Sequence, residues 1–185
     1  MSDLLVFGKR AGEYAARFAN GASEARVRDD DVRAASSDAV APFERRESGD
    51  GGPYKVQHEL QDTMQDLVGI VRSEDEMKRA LACIGSLEER AERASVSGNR
   101  EYNTGWHTAL DLRHLLTISE AITRSAIERK ESRGGHFRED YPDKDPAYGT
   151  FNIIVRKGGQ GEMKLERVPI PPMPETLRGV IEEMK

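Results

Sequence analysis

The stretch NTGWHTALDLRHLLTISEAITRSAIERK, Asn103–Lys130, contains the longest run of helical spacing in the sequence. Its leucine, isoleucine, alanine and tryptophan residues recur at steps of three and four and cover more than half of a helix circumference. Such a helix would be roughly 40 Å long. Because a helix with so wide an apolar surface needs neighbours on several sides, we expect it to be the central helix of a bundle.

Two helical patterns precede the central helix and supply those neighbours. Pro53 is well placed at a helix start, and apolar residues keep helical spacing over Val56–Val71. Ser73 and Glu76 then form an S-x-x-E capping box for a further helix, which SVSGN at Ser95–Asn99 ends. The connections are short, so the three helices predict an antiparallel bundle.

The sequence before the bundle predicts an amphipathic helix over Ser2–Asn20, with Ser2 as its cap. One face carries bulky apolar residues, and the other carries a stripe of small ones. That small-residue stripe consists of Gly8, Gly12, Ala15, Ala16 and Ala19. Both faces suit burial, so we expect a partner surface that is missing from the chain. A shorter helix over Asp31–Ala41 and a polar loop, RRESGDGGP at Arg45–Pro53, complete this part.

The pattern changes after Pro142. FNIIVRKGGQGEMKLERVPI, Phe151–Ile170, predicts two strands joined by a turn at Gly158–Gly161, and Pro174–Met184 predicts a final short helix. The expected fold is mainly α: an antiparallel three-helix bundle preceded by an N-terminal helix, with a small C-terminal β-hairpin and a short helix. We expect domain boundaries that divide residues 1–52, 53–140 and 141–185.

Composition excludes several classes of protein. The 185 residues include 33 acidic and 28 basic side chains, which give a net charge of −5. The basic residues are interleaved with acidic ones, which argues against nucleic acid as a partner. The single cysteine, Cys83, permits neither an internal disulfide nor a cysteine-based zinc site, which fits a reducing compartment. No apolar run approaches the roughly 20 residues of a transmembrane helix. A cytoplasmic protein, at most peripheral on the membrane, is expected.

His107, Asp111 and His114 share one face of the central helix and form the first candidate site. Two imidazoles and a carboxylate suit a divalent metal. However, they extend over about 10 Å, and a single helix rarely closes such a site. The alternative interpretation is a polar seam against a neighbouring element.

The stretch ESRGGHFREDYP, Glu131–Pro142, forms the second candidate site. Its polar side chains supply acid, base and ion-pairing groups, and the two adjacent glycines can adopt positive φ. The residues are Glu131, Ser132, Arg133, Gly134, Gly135, His136, Arg138 and Asp140. No G-x-G-x-x-G, P-loop or H-E-x-x-H motif accompanies them, so the residues alone indicate a helix exit tied to another surface, and no catalytic group is assigned.

Four motifs, taken in order, resemble the flavoprotein subunit of succinate dehydrogenase/fumarate reductase. They are SDLLVFGKRAGEYAA from Ser2, MQDLVGIVRSEDEM from Met64, GNREYNTGWHTALDLRHLL from Gly98 and RKESRGGHFREDYPDKD from Arg129. The resemblance covers nearly the whole chain. It implies that the chain corresponds to the C-terminal part of such a subunit: the last helix of the FAD-binding domain, the helical domain and the C-terminal extension.

The resemblance implies that full-length proteins of this kind use FAD to interconvert succinate and fumarate. Their dinucleotide fingerprint and substrate-binding residues lie upstream of the matching region, and Met1 stands where the family has the leucine of an N-R-L-G-x-N-S-L segment. Only Met1 and Ser2 are therefore expected near FAD, and only in a full-length protein. The chain alone is expected to be inactive and to have a structural role, without a cofactor or metal of its own.

The resemblance also places Glu131–Pro142, the exit stretch, where the chain returns toward the FAD-binding domain. Arg133, Gly134, His136, Arg138 and Asp140 are accordingly expected to fasten domains together. The implied partners are the FAD-binding and capping domains and the iron–sulfur subunit. Self-association through the N-terminal helix is a further expectation.

Two alternatives remain open. L-aspartate oxidase shares the helical domain and a similar E-S-R-G motif, although Asp3 and the segment from Phe151 onward favour the dehydrogenase/reductase. The second alternative is a free-standing helical interaction module that binds a partner through its N-terminal helix. The direction of the reaction and the electron acceptor are not encoded in these motifs.

Overall fold

The computed structural model describes residues 2–46, 49 and 52–183. Within these ranges the chain forms two compact units, one up to Ala39 and one from Val40 onward. The first unit contains helix α1, Ser2–Gly21, and the beginning of helix α2, Asp29–Glu44. Every residue of α1 is exposed.

The second unit is built on three helices that contact one another pairwise: α3 (Gly52–Leu67), α4 (Glu74–Arg93) and α5 (Thr104–Glu128). Asn103 caps α5 by accepting a hydrogen bond from the Trp106 N–H at 2.9 Å. The apolar stripes meet in one core, which consists of Val56, Leu60, Ile84, Leu87, Leu112 and Leu116. The predicted mainly α fold with its three-helix bundle is confirmed.

Ser73 caps α4 as predicted, although the Glu76 carboxylate accepts from the Ser73 hydroxyl, whereas in a full capping box it accepts from the Ser73 N–H. The Ser73 hydroxyl accepts a hydrogen bond from the Glu76 N–H at 3.4 Å and donates one to the Glu76 carboxylate at 2.8 Å. These bonds satisfy an amide group that the first turn of α4 would otherwise leave unpaired.

The helix predicted over Val56–Val71 ends earlier, at Leu67, so its last four residues were predicted wrongly. Val71 and Arg72 form strand β1, which pairs in parallel with strand β2, Phe137–Arg138. Gly69 permits the sharp exit, because a Cβ there would lie only 2.6 Å from the Gln65 carbonyl oxygen. Helix α2 is longer than predicted and begins at Asp29.

The C-terminal part contains a short 3₁₀ helix (Pro146–Gly149), the antiparallel strands β3 (Phe151–Lys157) and β4 (Met163–Pro169), and helix α6 (Glu175–Glu183). The predicted hairpin and final helix are confirmed. The hairpin contacts α5, which supplies the surface that an isolated hairpin lacks. Met184 and part of the predicted loop (Glu47, Ser48, Asp50 and Gly51) lie outside the described residues.

No helix in the described ranges combines the length and the apolarity that membrane crossing would require.

Candidate functional site

The exit stretch Glu131–Pro142 folds back on itself immediately after α5. Arg133 and His136 exchange backbone hydrogen bonds of 2.8 and 3.1 Å across a tight two-residue turn. Gly134, the first residue of that turn, has φ of +61°, a conformation that glycine adopts without strain. This turn lets the stretch place its polar side chains against the end of α5, the start of α4 and Arg72 of β1.

Glu131 is fully buried and accepts four hydrogen bonds. Arg133 donates two, at 2.8 and 2.9 Å, and Arg129 donates one at 2.5 Å. The Asp145 N–H donates the fourth at 2.9 Å. These bonds, led by those from Arg133, lower the pKa of the Glu131 carboxyl from 4.5 to about 2, although burial acts in the opposite direction. Glu131 is therefore a fixed anion that joins the exit stretch to the Asp145 loop.

Arg138 and Asp140 form a second, bidentate ion pair, with distances of 2.7 and 2.6 Å. The fully buried Arg138 guanidinium also donates to the Ala126 carbonyl at 2.9 Å, in the last turn of α5. Asp140 accepts from the Glu74 N–H at 3.0 Å, at the start of α4. The cation thus lies at a helix C-terminus and the anion at a helix N-terminus, which is the favourable orientation for both helix dipoles.

Ser132 fixes the backbone of the same stretch. Its hydroxyl accepts from the Arg138 N–H at 2.8 Å and donates to the Tyr141 carbonyl at 2.9 Å. The Asp143 carbonyl accepts from the Ser132 N–H at 3.0 Å.

His136 links the exit stretch to β1. Its Nδ1 lies 2.8 Å from Nη1 of Arg72 and its Nε2 lies 3.1 Å from the Arg129 carbonyl oxygen. Since a guanidinium only donates, Nδ1 must accept and Nε2 must carry the proton, which defines a neutral imidazole. Burial, followed by the charges of Arg72, Arg138 and Arg129, lowers the pKa of His136, and the bond to the Arg129 carbonyl opposes this shift.

The hydrogen bonds of this cluster hold the exit stretch in place. Among the described residues, every buried side-chain nitrogen and oxygen has a hydrogen-bond partner. The buried Glu131 and Arg138 are each held by several bonds, so releasing either group for proton transfer would leave partners unsatisfied.

An open groove of about 530 Å³ lies beside the cluster, between α5 and β3. Its cationic groups are Arg72 and Arg129, and the neutral His136 lies beside them. The other lining residues are Ile122, Ser125, Ala126, Asn152, Ile153 and Ile154. Among the described residues that line it there is no carboxylate, although the chain as a whole has a net charge of −5.

The other predicted site residues lie elsewhere. Met1 is outside the described residues, and Ser2 is exposed in the first turn of α1, in the other unit. His107, Asp111 and His114 are exposed on α5, and no set of three potential ligands in the described ranges is arranged for a metal ion.

Two participants in the cluster, Arg72 and Arg129, were not identified as site residues from the sequence. Arg72 donates through Nε to the carbonyls of Val68 and Gly69 at 3.0 and 2.8 Å, and so closes the end of α3. A basic residue just beyond a helical pattern is the one local signal that could have indicated this role. Its contact with His136, however, joins positions 64 residues apart.

Comparison with known proteins identifies relatives over most of the chain. The family model described as "Fumarate reductase flavoprotein C-term" matches residues 57–179. The fumarate reductase flavoprotein subunit of Haemophilus influenzae is 33% identical over 173 residues, which is 92% of this chain and 28% of that protein. The chain therefore spans less than a third of the length of this relative.

A solved structure and a second type of relative extend the comparison. The structure of Mycobacterium smegmatis Sdh1 in complex with UQ1 superposes with a TM-score of 0.89 at 37% identity, covering 98% of this chain and 31% of that one. The L-aspartate oxidase of Yersinia pestis is 41% identical over 87 residues, which is 47% of this chain and 15% of that protein.

Proposed function

Because the chain belongs to the fumarate reductase flavoprotein C-terminal family, we propose that it is the C-terminal helical portion of an FAD-dependent subunit that interconverts succinate and fumarate. The family match over residues 57–179 is the observation that carries this proposal. The likeness of both sequence and fold to Sdh1 over nearly the whole chain supports it.

The chain's own contribution is structural. The sequence has no dinucleotide fingerprint, and the resemblance implies that only Met1 and Ser2 lie near a flavin. FAD would supply the hydride chemistry when bound by the remainder of a full-length subunit. The role proposed for Arg133, Gly134, His136, Arg138 and Asp140 is to hold the helical domain against the FAD-binding domain.

The partners follow from the same proposal. They are the FAD-binding and capping domains and an iron–sulfur subunit, in a complex on the inner face of the cytoplasmic membrane. The exposed apolar residues of α1, such as Leu4 and Phe18 at 76% and 79% exposure, fit a helix that is covered in that assembly.

Absorbance spectroscopy and a succinate-dependent dye-reduction assay on the purified chain test the proposal. We expect neither flavin absorbance nor turnover. Stoichiometric FAD on the isolated 185 residues would overturn the structural role. The DNA immediately upstream of the start codon is a second test, since an in-frame N-R-L-G-x-N coding stretch would identify the chain as part of a longer subunit.

The 41% identity to L-aspartate oxidase favours a second candidate, the C-terminal domain of an L-aspartate oxidase-like flavoprotein. Asp3 and the hairpin that begins at Phe151 favour the succinate-linked candidate. Turnover of a full-length protein with L-aspartate but not with succinate would reverse this preference.

The exposure of α1 also supports a different class of function, a free-standing module that binds a partner or a second copy through α1. Sedimentation velocity and hydrogen exchange separate the two ideas. A clean monomer whose α1 amides are already protected from exchange would count against the module.

A further inference from the structure

In the described part of the chain, no strand pairs with the outer edge of β3. Thr150 accepts from the Ile170 N–H at 2.9 Å, and Gly158 donates to the Glu162 carbonyl at 2.7 Å, so the even-numbered residues of β3 form the hydrogen-bonded pairs with β4. In an antiparallel ladder the intervening residues direct their backbone groups to the other side. Phe151, Ile153 and Val155 therefore present their N–H and C=O groups at the free edge.

Within the described part of the chain, no hydrogen bond occupies those three backbone positions. Ile153, in the middle of the free edge, lines the groove between β3 and α5. An unpaired strand edge beside a groove is the geometry that binds an extended peptide as an additional strand.

The positive charge of the groove indicates that an acidic peptide would bind there. Arg72 is half-buried, its pKa is lowered by burial, and it forms no ion pair within the described ranges. Arg129 must share the single carboxylate of Glu131 with Arg133. The wall of the groove thus has uncompensated positive charge, and a carboxylate from a ligand would compensate it.

We propose that the groove between β3 and α5 binds an extended, acidic segment of a partner polypeptide, which pairs with the free edge of β3 and places a carboxylate on Arg72. Side chains on alternate positions of that segment would face the apolar lining residues Ile122 and Ile153. The proposal goes beyond the flavoprotein assignment, and peptide binding to this chain tests it separately from the flavin and turnover assays.

The test uses the ¹⁵N-labelled chain and a short synthetic peptide in which valine and glutamate alternate. We expect saturable chemical-shift changes along the groove and slower hydrogen exchange at the Ile153 and Val155 amides. A peptide with lysine in place of every glutamate should bind at least about tenfold more weakly. Equal binding of the two peptides, or no binding of the acidic one, would overturn the proposal.

Two proline variants distinguish a loss of pairing at the β3 edge from a general effect on folding. Ile153→Pro removes an N–H from the free edge of β3, whereas Leu165→Pro removes one from the outer edge of β4 in the same hairpin. Only Ile153→Pro should weaken binding of the acidic peptide, by about tenfold. Equal losses in the two variants would contradict pairing at β3.

Charge is tested in the same way. Arg72→Gln should weaken binding about tenfold. Arg156→Gln, which removes an exposed arginine from the β3–β4 hairpin, should leave binding within about twofold. The peptide comparison on the unaltered chain does not depend on whether Arg72→Gln folds. In a full-length subunit, protection of the Ile153 amide before peptide is added would show that the same polypeptide fills the groove, and would also overturn the proposal.

Discussion

Glu131 is a buried anion in the hydrogen-bond network of the exit stretch. It is fully buried, it is paired with Arg129 and Arg133, and it also accepts a backbone hydrogen bond from Asp145. A buried carboxylate is tolerated only when its charge and its lone pairs are satisfied, as they are here. Loss of that charge would leave two arginines without their shared anion.

We predict that Glu131→Gln lowers the free energy of unfolding by about 3 kcal/mol, because the amide directs an N–H group toward two guanidinium groups. Urea denaturation followed by circular dichroism measures this change. The matched control is Glu166→Gln, which breaks the exposed pair with Arg156 and should cost less than about 0.5 kcal/mol. Equal losses in the two variants would show that the buried network has no special weight.

The pKa of Glu131 also predicts how stability depends on pH. Folding lowers this pKa from 4.5 to about 2, so the folded state favours the ionised form. Its contribution is complete above pH 4.5 and is lost as the pH falls toward 2. Urea titrations across this window should show a shallower decline for Glu131→Gln than for the unaltered chain. The same slope in both proteins would contradict the assignment.

At the scale of the elements, the Arg138–Asp140 pair joins two helix ends of opposite polarity. Arg138 satisfies the Ala126 carbonyl at the end of α5, and Asp140 satisfies the Glu74 N–H at the start of α4. Helix termini leave such groups without partners inside the helix. The exit stretch therefore completes two helices while it connects them.

We predict that Arg138→Ala speeds hydrogen exchange in the last turn of α5 and the first turn of α4, because both lose hydrogen bonds or an oriented partner. Exchange in the middle of α5, around the buried Leu112, should increase less. Arg113→Ala, on the exposed side of the same helix, is the control. Uniform acceleration along α5 would indicate general unfolding and would contradict the local role.

At the scale of the whole molecule, the proposed role of the exit stretch concerns a longer protein. In a full-length subunit we predict that Arg133→Ala reduces FAD retention or thermal stability more than it reduces turnover per bound flavin. Arg133 donates two of the four bonds to Glu131, so its loss would weaken the contacts that hold the exit stretch. Flavin content, melting temperature and succinate-dependent dye reduction should be measured together.

Arg156→Ala, on the exposed face of the hairpin, provides the comparison. A subunit with Arg133→Ala that retains its flavin and its stability but loses turnover would place Arg133 in the chemistry.

Much of the fold could be predicted from the sequence because the signals are local. The helical spacing in Asn103–Lys130 indicated α5, the pair Ser73 and Glu76 marked the start of α4, and the glycine-rich turn separated β3 from β4. Each signal depends on residues within a few positions of one another, where backbone geometry links spacing directly to structure. The motif resemblance was likewise a property of the sequence alone.

Only the tertiary structure decided how the exit stretch is held. The two-residue strands β1 and β2 are too short to leave a periodic pattern, and the end of α3 at Leu67 depends on the exit that Gly69 allows. The contact between Arg72 and His136 joins positions 64 residues apart, and the burial of Glu131 depends on how the exit stretch packs against the rest of the chain. The sequence determined which helices form, because that information is local. Tertiary packing determined which charges became buried, although their ion-pair partners, such as Arg133 for Glu131 and Asp140 for Arg138, lie only two residues away.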